Sequence, residues 1–147
     1  MDKFERKNTD IFTFKNMLSL GELSKLRVWH DDSGSLVGHA SWHLEYIKVE
    51  DLGTGRSYLF NCNKWLSLSK DDKQIVRELK VEDSDAGDRM TPRVGEKTTY
   101  EISVVTADES GAGTKKDAFF ILIGENGQET KPKVLENNIE NKILRRF

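Results

Sequence analysis

The chain has 147 residues, enough for one domain with a hydrophobic core that needs neither disulfides nor a structural metal. Its 23 basic and 25 acidic side chains nearly cancel, and no Lys/Arg stripe of the kind a phosphate backbone demands is visible, which argues against nucleic acid as a partner. The single cysteine, Cys62, excludes an intramolecular bridge, and no apolar run reaches the roughly 20 residues that span a bilayer; the polar opening 1–10 also lacks the apolar segment of a signal peptide, so a cytoplasmic protein with at most peripheral membrane contact is expected.

Strand signals dominate. Residues 10–14, 25–30, 42–50, 56–61 and 74–81 are short β-type segments separated by turn chemistry, with Asp51-Leu52-Gly53-Thr54-Gly55 reading as a hairpin loop. Between Trp42 and Val49 the apolar phase slips from Trp42, Leu44 and Tyr46 to Ile47 and Val49, as a β-bulge would cause. A short helical candidate around 16–24 competes with this all-strand reading. Residues 99–106 alternate Tyr100, Ile102 and Val104 with polar neighbours, the period of a half-buried strand. The apolar run 118–123 is short and rich in β-formers, which favours a strand in a sandwich core. Gly124-Glu125-Asn126-Gly127 then supplies an Asn-Gly turn into a strand over 128–134. About eight short strands at this spacing predict an antiparallel β-sandwich of two roughly four-stranded sheets.

The segment 82–97 has almost no apolar residues and reads as a linker between parts 1–81 and 98–147. Neither part holds enough strands for its own sandwich, so the two are expected to complete each other as one domain. Asp2-Lys3-Phe4-Glu5-Arg6 near the start is echoed by Asn141-Lys142-Ile143-Leu144-Arg145 near the end, as a slice through a repeat array would show.

The runs LRVWHDDSG from Leu26, WHLEYIKVEDLGTGRSYLFNCNKWL from Trp42 and DDKQIVREL from Asp71 resemble the second part of a PLAT (lipoxygenase homology) domain. The run TYEISVVTADESGAGTKKDAFFILIGENG from Thr99 resembles the first part, and both are similar to tandem PLAT repeats. The resemblance implies a PLAT/C2-like sandwich in circularly permuted order, because here the second part precedes the first. A closed permuted monomer and a strand-exchanged oligomer both satisfy that order; intramolecular completion avoids the concentration cost of association and favours the monomer.

A catalytic reading is weak. Cys62 sits in an apolar strand-like context with no activating motif, and His39 and His43, four apart, do not face one metal on a strand or loop. Lipoxygenases hold iron in a separate helical domain that has no counterpart in this sequence, so the resemblance implies no oxygenase activity. Calcium is the cofactor to test, because hard cations want several oxygens from flexible loops. The candidate ligands are Asp31, Asp32, Asp72, Asp108, Gly111, Gly113, Thr114 and Asp117. The resemblance implies an acidic ligand directly after Gly111-Ala112-Gly113-Thr114, but Lys115 stands there and opposes a cation; the plain alternative is solvated loop acids that protect sheet edges. Membrane contact is assigned to Leu36, Val37 and Trp65, whereas Trp29 and Trp42 are expected in the core. The function expected is a non-catalytic module for peripheral membrane or lipid attachment, calcium-assisted or not. The alternative is a protein-interaction module of a tandem-repeat scaffold, linking membrane proteins or cytoskeleton through an exposed patch on a sheet face.

Overall fold

The computed structural model describes residues 3–30, 41–85, 93–114 and 116–136. Their regular elements are all strands: β1 (Thr9–Leu18), β2 (Leu23–His30), β3 (Trp42–Asp51), β4 (Arg56–Leu66), β5 (Val76–Lys80), β6 (Asp83–Asp85), β7 (Lys97–Thr106), β8 (Ala118–Gly124) and β9 (Lys133–Leu135). Two antiparallel sheets face each other, a five-stranded one in the order β1-β7-β3-β4-β6 and a four-stranded one in the order β5-β2-β8-β9. The expected pair of roughly four-stranded sheets is present, with the three-residue β6 as the fifth strand of one.

Period-two alternation builds the core. Along β7 the side chains of Tyr100, Ile102, Val104 and Thr106 are buried while those between them are half-exposed. On β2 Leu26, Val28 and His30 point inward and Lys25, Arg27 and Trp29 outward. Strand β8 lies between β2 and β9, and Ile121 and Ile123 are nearly as buried as Phe120 and Leu122, which explains its continuous apolar sequence. The two sheets meet through Phe14 and Phe120, whose rings lie 5.2 Å apart edge to face.

The expected bulge in β3 is present: Leu44 opposes Thr106 but Tyr46 opposes Val105, so Glu45 is the extra residue. Strand β4 adds a second one, because Leu44 pairs with Lys64 and Tyr46 with Asn61; Asn63, at φ 54°, takes up the offset. Residues 16–24 form no helix. Asn16 at φ 58° and Gly21 at φ 75° lie in the left-handed region, where an α-helix cannot continue, so β1 bulges at Lys15-Asn16 and turns into β2.

Part of the segment expected as a linker is structured. Val81 N donates to Ser24 O and Glu82 N to Leu59 O, which carries the chain from one sheet to the other, where β6 pairs with β4. Further on, Gly95 N donates to Ser19 O and Ser19 N to Glu96 O, tying the approach to β7 against the end of β1. Strand β7 then lies between β1 and β3, and β8 between β2 and β9, so both sheets interleave strands from before and after this segment.

Candidate functional site

One end of the sandwich gathers the ends of β2, β4 and β7 with the starts of β3 and β8. Its base is rigid. Trp42 is fully buried and its indole Nε1 donates to Thr106 Oγ1 at 2.9 Å; His30 Nε2 donates to Leu66 O at 2.7 Å; the hydroxyls of Ser41 and Ser67 meet at 2.8 Å. Of the residues assigned to this end from sequence, Asp31, Asp32, Leu36, Val37 and Lys115 lie outside the described residues.

The loop 67–75 leaves this base. Ser67 Oγ accepts from the backbone N–H groups of Ser69 and Lys70, each at 3.0 Å, and Ser67 N donates to Gln74 O, so the loop is closed at its neck. At its tip Leu68 is 42% exposed. Trp65 is half-buried: its ring stands edge-on to His43 at 4.9 Å between centroids, and Lys70 Nζ lies 4.4 Å above it. Trp65 is therefore neither core nor fully free. Neither Leu68 nor Lys70 is assigned to membrane contact from sequence, where they are an isolated apolar and an isolated basic residue shortly after Trp65.

Two described acids of the expected calcium set, Asp72 and Asp108, are paired with arginines. Asp72 receives both Nη groups of Arg77, at 2.5 and 3.0 Å, and this pairing holds its carboxyl below the usual carboxylate range. Arg77 also donates through Nε and Nη2 to Trp65 O, so one guanidinium joins β5, the loop and the Trp65 backbone. Asp108 pairs with Arg6 at 2.9 Å. Ala112 O accepts from His43 N and Thr114 N donates to Phe4 O, which fixes the 107–114 backbone against β3 and the chain start. Gly113 is held so closely that a Cβ there would sit 2.9 Å from Phe4 O. Among the described residues no three His, Cys, Asp or Glu side chains converge to hold a cation. Arg77 is the residue missing from the sequence-based set, because within the segment 74–81 no motif singles it out.

A second surface lies on the outer face of the four-stranded sheet. Val76 opposes Trp29, Trp29 opposes Phe119 and Phe119 opposes Val134, so one apolar row crosses β5, β2, β8 and β9. The rings of Trp29 and Phe119 stack at 5.7 Å, and Val76 and Val134 are 44% and 40% exposed. Trp29 was expected in the core; alternation along β2 turns it outward beside Arg27 instead. Cys62 is half-buried on β4 with its thiol pushed up by burial, which leaves it a poor nucleophile.

The PLAT/LH2 domain model matches residues 1–78. The chain is 39% identical over 145 residues to lipoxygenase homology domain-containing protein 1 of Mus musculus and, to the same degree, to that of Homo sapiens; the match covers 99% of this chain and 6% of either relative. It is 48% identical over 61 residues to the polycystin family receptor for egg jelly of Mus musculus, which covers 42% of the chain and 3% of the relative. The chain thus spans a small fraction of the length of the curated relatives it matches, and no solved structure matches it significantly. The strand content, the antiparallel two-sheet architecture and these matches agree, and the chain belongs to the PLAT/LH2 domain family.

Proposed function

We propose that this chain is a non-catalytic binding module that docks peripherally on membrane lipid through the loop end of its sandwich. The observation that carries the reading is Leu68, exposed at a loop tip beside Trp65 with Lys70 over the indole. An indole suits the headgroup boundary, an aliphatic tip the acyl region, and an ammonium the anionic surface. Leu36 and Val37 belong to the same proposed contact. One fully buried aliphatic side chain contributes roughly 1.5 to 3 kcal/mol and one lysine near an anionic surface about 1 kcal/mol. Docking by a single module is therefore weak and reversible, and neighbouring modules would multiply it. The collinear 145-residue match to a much longer relative supports reading the chain as a slice of a repeat array, closed as a permuted monomer.

The test is co-sedimentation with phosphatidylcholine vesicles, with and without phosphatidylserine, in calcium or chelator. Pelleting with anionic vesicles, weakened about fivefold or more by Leu68→Ser or Lys70→Glu, is expected. Calcium should change little, because Asp72 and Asp108 already serve arginines; calcium-dependent pelleting would place the ligands on Asp31, Asp32 and Asp117. Absence of pelleting in every condition sinks the lipid reading. The protein-interaction reading, favoured by the row Val76, Trp29, Phe119 and Val134, would then be pursued with Trp29→Ser.

A further inference from the structure

Away from the loop end, β1 and β9 are, among the described strands, the outermost strands of the two sheets on the same side of the sandwich, and a groove of about 650 Å³ lies between the end of β1 and the segment that leads into β9. Lys15, Lys131 and Lys133 all line it, and among the described residues none of the three has a carboxylate within ion-pair distance. The acid in the lining, Glu129, reaches Arg27 on the outer sheet face at 3.7 Å. Leu18 and Val94, 59% and 52% exposed, stand in the same lining. The β1 bulge at Lys15-Asn16 lies in the same lining.

We propose that this groove binds an extended acidic segment of a partner protein. Three like charges around one concavity leave a positive potential that an anionic ligand relieves. Edge lysines often serve only to repel a second strand; these converge on a cavity whose walls also present apolar side chains. The shape favours a peptide over a small anion or a lipid headgroup. One wall is the end of β1 and the other the 128–131 segment leading to Lys133, so cationic and apolar side chains are spread along an elongated lining, and alternate side chains of an extended chain point to opposite faces. Acidic residues would therefore face the lysines while intervening apolar ones meet Leu18 and Val94. The proposal is independent of docking through the loop end.

The probe is a fluorescein-labelled decapeptide of alternating glutamate and valine, with the lysine-valine analogue as control, followed by anisotropy and by amide chemical shifts of the ¹⁵N-labelled chain. Binding of the acidic peptide alone is expected, with shifts concentrated in 15–20, 94–95 and 128–133. The double variant Lys131→Glu/Lys133→Glu should weaken it about tenfold or more, and raised salt should weaken it too. Lys48→Glu, an exposed change in the middle of β3, should leave it unchanged. Because Lys131 is exposed and Lys133 lies on an edge strand, unchanged circular dichroism is expected of the double variant. No binding at millimolar peptide, equal binding by the double variant, shifts confined to the loop end, or groove shifts produced only by anionic vesicles would each overturn the proposal.

Discussion

Each end of the sandwich holds an arginine locked to a carboxylate, and the two pairs do different work. At the loop end Arg77, with a side chain 10% exposed, grips Asp72, which is 45% exposed. At the turn end Arg56 grips Glu22 at 2.5 Å, and these side chains are 13% and 23% exposed. The turn-end pair is the more buried of the two, and Tyr58 adds its hydroxyl, which donates to Glu22 Oε2 at 3.3 Å. It joins the start of β4 to the residue preceding β2, so it ties the two sheets together. The loop-end pair is half in water, and its main consequence is that a carboxylate suited to a cation is already used. A charged pair thus secures the fold where it is buried and shapes the chemistry of a surface where it is not.

The sharpest way to break this comparison is at the buried pair. Glu22→Ala removes the partner of Arg56 and the acceptor of Tyr58 while leaving both in a confined place. Removing one member of a fully buried ion pair costs about 3 to 5 kcal/mol, and partial exposure of this one brings the expected loss to roughly 3 kcal/mol. Urea unfolding followed by tryptophan fluorescence reads it as a lower midpoint with unchanged slope. A loss under about 1 kcal/mol, the range of exposed pairs, would show that the two ends do not differ.

Arg77→Met is the next largest. Methionine keeps much of the packing volume but leaves Trp65 O without its two donors and Asp72 without its cation. A cost of about 1 to 2 kcal/mol is expected, chiefly from the carbonyl. The same variant frees Asp72, so any heat of calcium binding should be larger than in the parent chain when the two are titrated by calorimetry. A variant with the parent's calcium response would show that Arg77 is not what withholds Asp72.

Much of this architecture can be read from residue order, and the limits are physical. Alternation along 99–106, the Asn126-Gly127 turn and the phase slip around Glu45 each express a local backbone preference, and each lies where that preference puts it. The second bulge at Asn63 and the turn in place of a helix after Asn16 rest on asparagines in the left-handed region, a choice asparagine permits without requiring it. The site was less legible still. Trp65 could be named from its motif, but its edge contact with His43 and the cover from Lys70 arise from strand register and loop closure. Likewise Asp72 carries the chemistry of a ligand, and only the fold reveals that Arg77 reaches it from β5.

The smallest effect separates the ends by pH. Burial, with the Glu22 carboxylate adding to it against the opposing hydrogen bond from Arg56, pushes the Tyr58 hydroxyl from 10.0 up to about 12. The folded state therefore keeps this proton where the unfolded chain has lost it. Such a group stabilises fully below its unfolded value, and that contribution is lost as pH rises from about 10 through about 12. Tyr58→Phe deletes the titrating group together with one hydrogen bond, at a cost of about 1 kcal/mol near neutrality. Across the alkaline window the parent chain should lose stability more steeply than the variant, so the gap between their urea midpoints narrows or reverses by pH 12. Lysine titration is common to both chains and cancels in the difference. A gap constant over that window would mean that Tyr58 ionises alike in the folded and unfolded chains, and that the turn end shelters it no better than water does.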